Sequence, residues 1–383
     1  MKKLFYLGII GLTLFEILNV YFIMPMPGSQ RMQSLDLAYF LYSYRWYLRI
    51  AFLLMIAAGT IGTLKTSKYK WIPAISLLFP IAAIYMFNFR MSADSMFKQP
   101  EKLTFKPKGE SVLNDSSIVV GVEHNGEVKA YPIRFIGYHH QVQDVIGGMP
   151  VIVTYCTVCR TGRVFEPTVK GQPEKFRLVG MDHFNAMFED VTTKSWWRQA
   201  TGEAVTGALK GEVLPEVESV QLTVNKLFEL YPNAVVMQLD EASKDNYDSL
   251  ARYERGKSKG ALTRRDSLSW RDKSWVVGIK INDSSKAYDW NNLKEVHVIN
   301  DKIGQTPVAL VLSGDNKSFA AFERSSESDE FSIRNDTLFV SNKPYSFSGK
   351  DFSASVQSLK RIKSYQEFWH SWRTFHPETE QYK

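Results

Sequence analysis

The 383-residue chain has only two cysteines, and they stand together as Cys156-Thr157-Val158-Cys159. Four chemistries compete for two sulfurs at this spacing. A c-type haem attachment needs a histidine directly after the second cysteine, and Arg160 stands there instead. A purely structural disulfide would close a very short loop, where cross-linking stabilises least. A redox dithiol fits, with Cys156 as attacking and Cys159 as resolving thiol, although such thiols are usually activated at a helix N-terminus. A metal knuckle also fits, because two thiolates on a turn converge on one ion.

Thiolates need partners, and the chain has seven histidines. His139 and His140 lie just upstream, and His183 lies downstream in Gly180–Asp190. Two thiolates with imidazole form a soft donor set suited to copper or zinc. The expected ligands are Cys156, Cys159 and His139, with His183 next and Met181, Asp182 and Met187 as auxiliaries. His124, His370 and His376 read as surface residues. A Cys156–His139 nucleophile pair is a further option, but no oxyanion hole is apparent beside it.

An internal repeat indicates which element carries the cysteines. Ile118–Glu166 aligns without a gap on Trp275–Glu323, 157 residues later, with matches that include Gly121/Gly278, Tyr131/Tyr288, His140/His297, Asp144/Asp301 and Pro150/Pro307. Opposite Cys156–Cys159 the second copy has Ser313-Gly314-Asp315-Asn316, a strand–turn–strand signal. The cysteines are therefore expected on a hairpin turn. His140, present in both copies, reads as structural; His139, opposite Val296, reads as specific to the cysteine-bearing copy. Within a copy, Asn125-Gly126 and Gly147-Gly148 mark hairpins. One helix per copy is expected, at about Val224–Leu230 and Tyr365–Arg373. The fold class is α+β with mainly antiparallel sheets in two duplicated modules, 91–240 and 273–383, joined by a polar linker at 241–272.

Ahead of the repeats come three apolar blocks: Leu4–Met24, Trp46–Leu64 and Trp71–Phe89. Each approaches the ~20 residues that cross a bilayer. The mean hydropathy of −0.21 averages this segment with a polar remainder. The first block is too long for a signal-peptide core and lacks a small-residue cleavage site. A three-helix membrane anchor over 1–90 is expected. Lys2, Lys3, Lys65, Lys68 and Lys70 put the N-terminus and the second loop on the cytoplasmic side. The rest would then be extracytoplasmic: on the plasma or inner membrane, and periplasmic in a Gram-negative cell. Glu16 and Asn19, polar within the first block, read as a helix–helix contact. The net charge of +7 is spread among acids, so no basic stripe points to nucleic acid. No nucleotide-binding or metalloprotease motif appears, and no nucleotide cofactor is indicated. The expected partners are the bilayer and a membrane or extracytoplasmic protein.

The stretch Ala130–Glu166, with Ser195–Gly207 after it, resembles the domain-of-unknown-function family DUF3179. The resemblance places the family histidine at His139, its acid at Asp144 and its thiols at Cys156 and Cys159, with Asp190, Trp197, Gln199 and Gly202 in the downstream block. Three positions depart from the family pattern: Thr157 where it has proline, Arg160 where it has glycine, and Tyr138 where it has tryptophan. The resemblance implies a domain without a reaction. The residues themselves lead to a soft-metal site in metal handling or redox support. A thiol–disulfide oxidoreductase and a non-catalytic interaction module are the alternatives.

Overall fold

The computed structural model describes residues 1–352 and 358–383. The chain divides into two compact units. The first comprises 1–98, 176–198 and 203–213; the second comprises 99–175, 199–202 and 214–383.

The first unit opens with three helices long and apolar enough to cross a membrane, Lys2–Tyr21, Arg45–Thr66 and Trp71–Arg90. Glu16 is fully buried among them. Arg49 donates to its two carboxylate oxygens at 2.6 and 2.8 Å, and Asn88 donates to it at 2.8 Å. The helix–helix contact expected of Glu16 is thus an ion pair. Asn19 takes no part, and its Oδ1 has no partner. The unit also holds a four-stranded antiparallel sheet, in the order Ala204–Thr206, Trp196–Arg198, Asn185–Asp190, Phe176–Asp182. Gly180 lets this sheet approach the chain after the first helix: a Cβ there would lie 2.2 Å from the Ile23 carbonyl oxygen.

The second unit repeats one plan. Strands Ile118–His124 and Glu127–Pro132, helix Ile133–His139 and strands Gln141–Ile146 and Met149–Cys156 come first. Strands Trp275–Ile281 and Ser284–Asp289, helix Trp290–Val296 and strands Val298–Ile303 and Thr306–Leu312 follow in the same order. In each half a later strand pairs antiparallel with the first strand: Val220–Thr223 in one, Ser364–Phe368 in the other. In each half a short strand also adds parallel to the second one, Val235–Met237 and Glu380–Gln381 respectively. All other strand pairs are antiparallel.

The Asn125-Gly126 and Gly147-Gly148 turns form as expected, all four residues having positive φ. Gly147 is obligatory because a Cβ would fall 2.3 Å from the His124 carbonyl oxygen. The helix Val224–Leu230 forms, capped by the Thr223 side chain. In the second half the expected helix starts late: Ser364–Phe368 is strand, and the helix is Trp369–Phe375. Each half also has a second helix, Ile133–His139 or Trp290–Val296. Within the polar stretch 241–272, Lys244–Glu254 forms a helix whose Tyr247 and Tyr253 join the first half's core.

The Glu16–Arg49 pair yields a direct test. Arg49→Met leaves a buried carboxylate uncompensated and is expected to cost about 3–5 kcal/mol. The double variant Glu16→Leu/Arg49→Met should cost much less. Thermal unfolding of the full chain in detergent reads the difference, and equal losses would refute the pairing argument.

Candidate functional site

The strand Met149–Cys156 is rich in β-branched and aromatic residues, and its last six residues are buried. It pairs with Gln141–Ile146 on one side and Thr161–Phe165 on the other, ending at the pair Cys156–Thr161. Thr157–Arg160 is the turn between, with Arg160 at φ 57°. Both cysteines are free thiols with 0% exposure. Gly137 makes room for the turn, since a Cβ there would come within 3.1 Å of the Thr157 methyl. Gln199 braces the hairpin from outside: its Nε2 donates to Thr154 Oγ1 and to the Thr161 carbonyl, both at 3.1 Å.

The turn meets residues from the other half of the unit. Lys273 Nζ donates to the Val158 carbonyl at 2.8 Å and lies 3.0 Å from His370 Nε2. The Phe368 amide donates to the Cys159 carbonyl at 2.8 Å. Burial pushes Lys273 down to about 8, against the opposing pull of negative charge on Cys159 and, second, Cys156. That attraction is mutual: an ammonium here favours a thiolate as the thiolate favours it. His370 is driven to about 4, first by burial and then by the Lys273 charge, so its imidazole is neutral at neutral pH. Its Nε2 also lies 3.1 Å from the Val158 carbonyl oxygen, the same acceptor that Lys273 reaches.

Sequence reasoning missed Lys273 and read His370 as a surface residue. The structure corrects the latter: His370 is partly buried and touches the turn. No local signal could have found either one, because both arrive through the pairing of Ser364–Phe368 with Trp275–Ile281. The two arginines that follow the thiols, Arg160 and Arg163, are both buried. Arg160 stacks on Trp275 at 3.7 Å, and Arg163 pairs with Glu367 at 2.7 Å.

The remaining candidates are placed as follows. His139 closes the helix Ile133–His139, is fully buried, and engages the Tyr247 hydroxyl through Nε2. His140 takes a left-handed conformation, with Nδ1 3.0 Å from the Tyr138 carbonyl; His297 does the same in the second half and bonds Leu312. The two share the left-handed backbone, while their rings bond different carbonyls. His183 lies in the first unit at a hairpin turn, bonded to Asp182 at 2.6 Å. This hydrogen bond raises His183, outweighing burial. Burial works against ionisation of Asp182, but the bonds from His183 and Arg198 prevail and hold it low. Asp144 accepts from Lys129 and Tyr131, as Asp301 accepts from Lys286 and Tyr288, so this acid is part of the scaffold. Asp190 accepts from the Trp197 indole and from Thr193 and Ser195, closing a turn of the first unit. Gly202, at φ 69°, lies against the Phe165 ring. Trp196 and Trp197 are core residues. Among the described residues, no three His, Cys, Asp or Glu side chains form a group that could hold a metal.

The family described as "Protein of unknown function (DUF3179)" matches residues 97–379. The chain belongs to the DUF3179 family. No curated protein and no solved structure matches it. Of the DUF3179 positions marked by the resemblance, Gln199 and Gly202 pack on the cysteine hairpin, whereas Asp144 and Asp190 hold scaffold.

Two outcomes follow. Gln199→Leu, which strips a buried hydroxyl and a carbonyl of their donor, should cost about 1–3 kcal/mol in chemical unfolding; an unchanged midpoint would mean that the brace is idle. His140 and His370 are both lowered from 6.5 to about 4, chiefly by burial. The unfolded chain therefore binds protons first as pH falls. Stability is full above about 6.5 and drops by on the order of 3 kcal/mol per histidine as pH approaches 4. Unfolding of His140→Gln across this range should show a shallower acid loss than the parent.

Proposed function

We propose that Cys156 and Cys159 form a redox dithiol on a membrane-anchored protein, with Lys273 as its proton partner. The observation that carries this reading is the Lys273 amine, seated against the turn and coupled electrically to both sulfurs. A lysine brought down to about 8 accepts and returns a proton near neutral pH. In the exchange, the Cys156 thiolate attacks one sulfur of a substrate disulfide. The substrate S–S bond breaks, and its leaving thiolate takes a proton. Lys273, coupled more strongly to Cys159, accepts that thiol's proton. The Cys159 thiolate then attacks the mixed disulfide and releases the second substrate thiol. Two electrons pass from the dithiol to the substrate, and a second dithiol donor must restore the reduced pair. Because both sulfurs are covered, a partner's disulfide gains access only when the covering groups part.

The competing occupant is a copper or zinc ion on Cys156, Cys159 and His139. An ammonium beside the sulfurs opposes a cation there, and His139 already spends Nε2 on Tyr247. We read the two halves of the second unit as duplicated modules; the recurring element order, including the parallel edge strand, supports this. The cysteine-free half then serves as scaffold that supplies Lys273 and His370. We read the three apolar helices as membrane spans with the N-terminus cytoplasmic and the family region extracytoplasmic, because lysines gather before the first helix and between the second and third.

The full chain, purified anaerobically in detergent, is to be equilibrated across glutathione redox buffers and its free thiols mass-tagged, with metal content measured in parallel. A reversible two-electron transition that Cys156→Ser abolishes, without bound metal, is the expected result. About one copper or zinc per chain, lost in Cys156→Ser/Cys159→Ser, would replace the redox reading with the metal one. Neither property would leave an interaction module.

A further inference from the structure

Beside the cysteine hairpin, the second unit holds a cavity of about 210 Å³ whose wall is strongly basic. Arg160, Arg255, Arg265, Lys294 and Lys317 line it, against two acids, Glu254 and Asp315. Both acids are already engaged. Asp315 accepts from the Lys317 and Ser318 amides and from the Ser318 and Thr223 hydroxyls. Glu254 accepts from the Ile118 amide.

The two guanidiniums at the centre have no such answer. Arg160 and Arg265 both lie on the Trp275 ring, at 3.7 and 4.1 Å from its centroid. Arg160 is 1% exposed, and its donors reach only Gln366 and the Tyr253 and Glu254 carbonyls. Arg265 bonds Asn291. Among the described residues neither has a carboxylate within ion-pair distance. Two further donors in the wall, Arg265 Nε and Trp275 Nε1, have no acceptor among the described residues. Burial, and after it the charge of Arg160, lowers Arg265, as expected of two like charges held together out of water. Asp289 and Glu254 offset these two charges only from beyond ion-pair distance, and a pair of close cations beside donors that lack acceptors is matched to an acceptor-rich anion.

We infer that this cavity binds the oxyanion group of a small molecule, held between Arg160 and Arg265 with Lys317 and Lys294 at its rim. Carboxylate and phosphate share the chemistry, and the volume suits either group. Arg160 follows Cys159 directly and stands where the DUF3179 pattern has glycine, so the site is a property of this chain. It stands independently of the redox reading. If both hold, the oxyanion is the handle by which the dithiol's substrate docks.

The test uses the full chain in detergent and isothermal titration with inorganic phosphate, sulfate and acetate at low ionic strength. Saturable binding of one anion per chain is expected, weakened by salt and reduced about tenfold or more in Arg265→Gln. Phosphate and sulfate binding above acetate marks a tetrahedral group; the reverse order marks a carboxylate. Lys317→Gln, at the rim, provides a second variant should Arg265→Gln fail to fold, and should weaken binding severalfold. Cys156→Ser should bind as the parent does, which separates this site from the thiol chemistry. Absence of saturable binding, or equal affinity in the folded variants, would overturn the inference.

Discussion

A half-buried lysine amine bonded to the backbone of the cysteine turn is the constraint on which the site depends. Lys273 meets the turn from the other half of the unit, so the halves must be held in fixed register for the contact to exist. The Phe368 amide on the Cys159 carbonyl and the Arg163–Glu367 ion pair serve that end, each joining the cysteine hairpin to the strand Ser364–Phe368. Burial lowers the amine, and negative charge on the sulfurs raises it; the balance falls near neutral pH. Hydrated at a surface, the same lysine would stay protonated and exchange nothing.

The cysteine-free half explains how such a contact is built. Its own turn, Ser313-Gly314-Asp315-Asn316, is closed by Asp315 bonding to local amides and hydroxyls. Distant residues bond it as well: Asp336 accepts from the Ser313 hydroxyl and the Gly314 amide, and the Thr223 hydroxyl donates to Asp315. The cysteine turn has no internal acid; Lys273 and the Phe368 amide donate to its carbonyls, and His370 Nε2 lies 3.1 Å from the Val158 carbonyl.

Much of this was legible in the sequence because its causes are local. Asn125-Gly126 and Gly147-Gly148 dictate hairpins, the repeat places Cys156–Cys159 on a turn, and long apolar runs mark the N-terminal helices. The helix Ile133–His139 was not legible: at seven residues, with Ile133, Phe135 and Ile136 among them, its pattern is that of a strand. The roles of Lys273, His370 and Arg160 were hidden for another reason. A lysine two residues before a strand carries no sign that it will be buried, and the ring that receives Arg160 is Trp275, far along the chain. His139 illustrates the converse: its absence from the second copy marked it as special, and the structure gives it Tyr247 as partner.

The most direct measurement is the ultraviolet thiolate absorbance of the full chain as a function of pH, with and without Lys273→Met. The account predicts that the variant needs a clearly higher pH to form thiolate, because the neighbouring cation is gone. Superimposable titrations would show that Lys273 and the cysteines are not coupled, and would contradict the central claim.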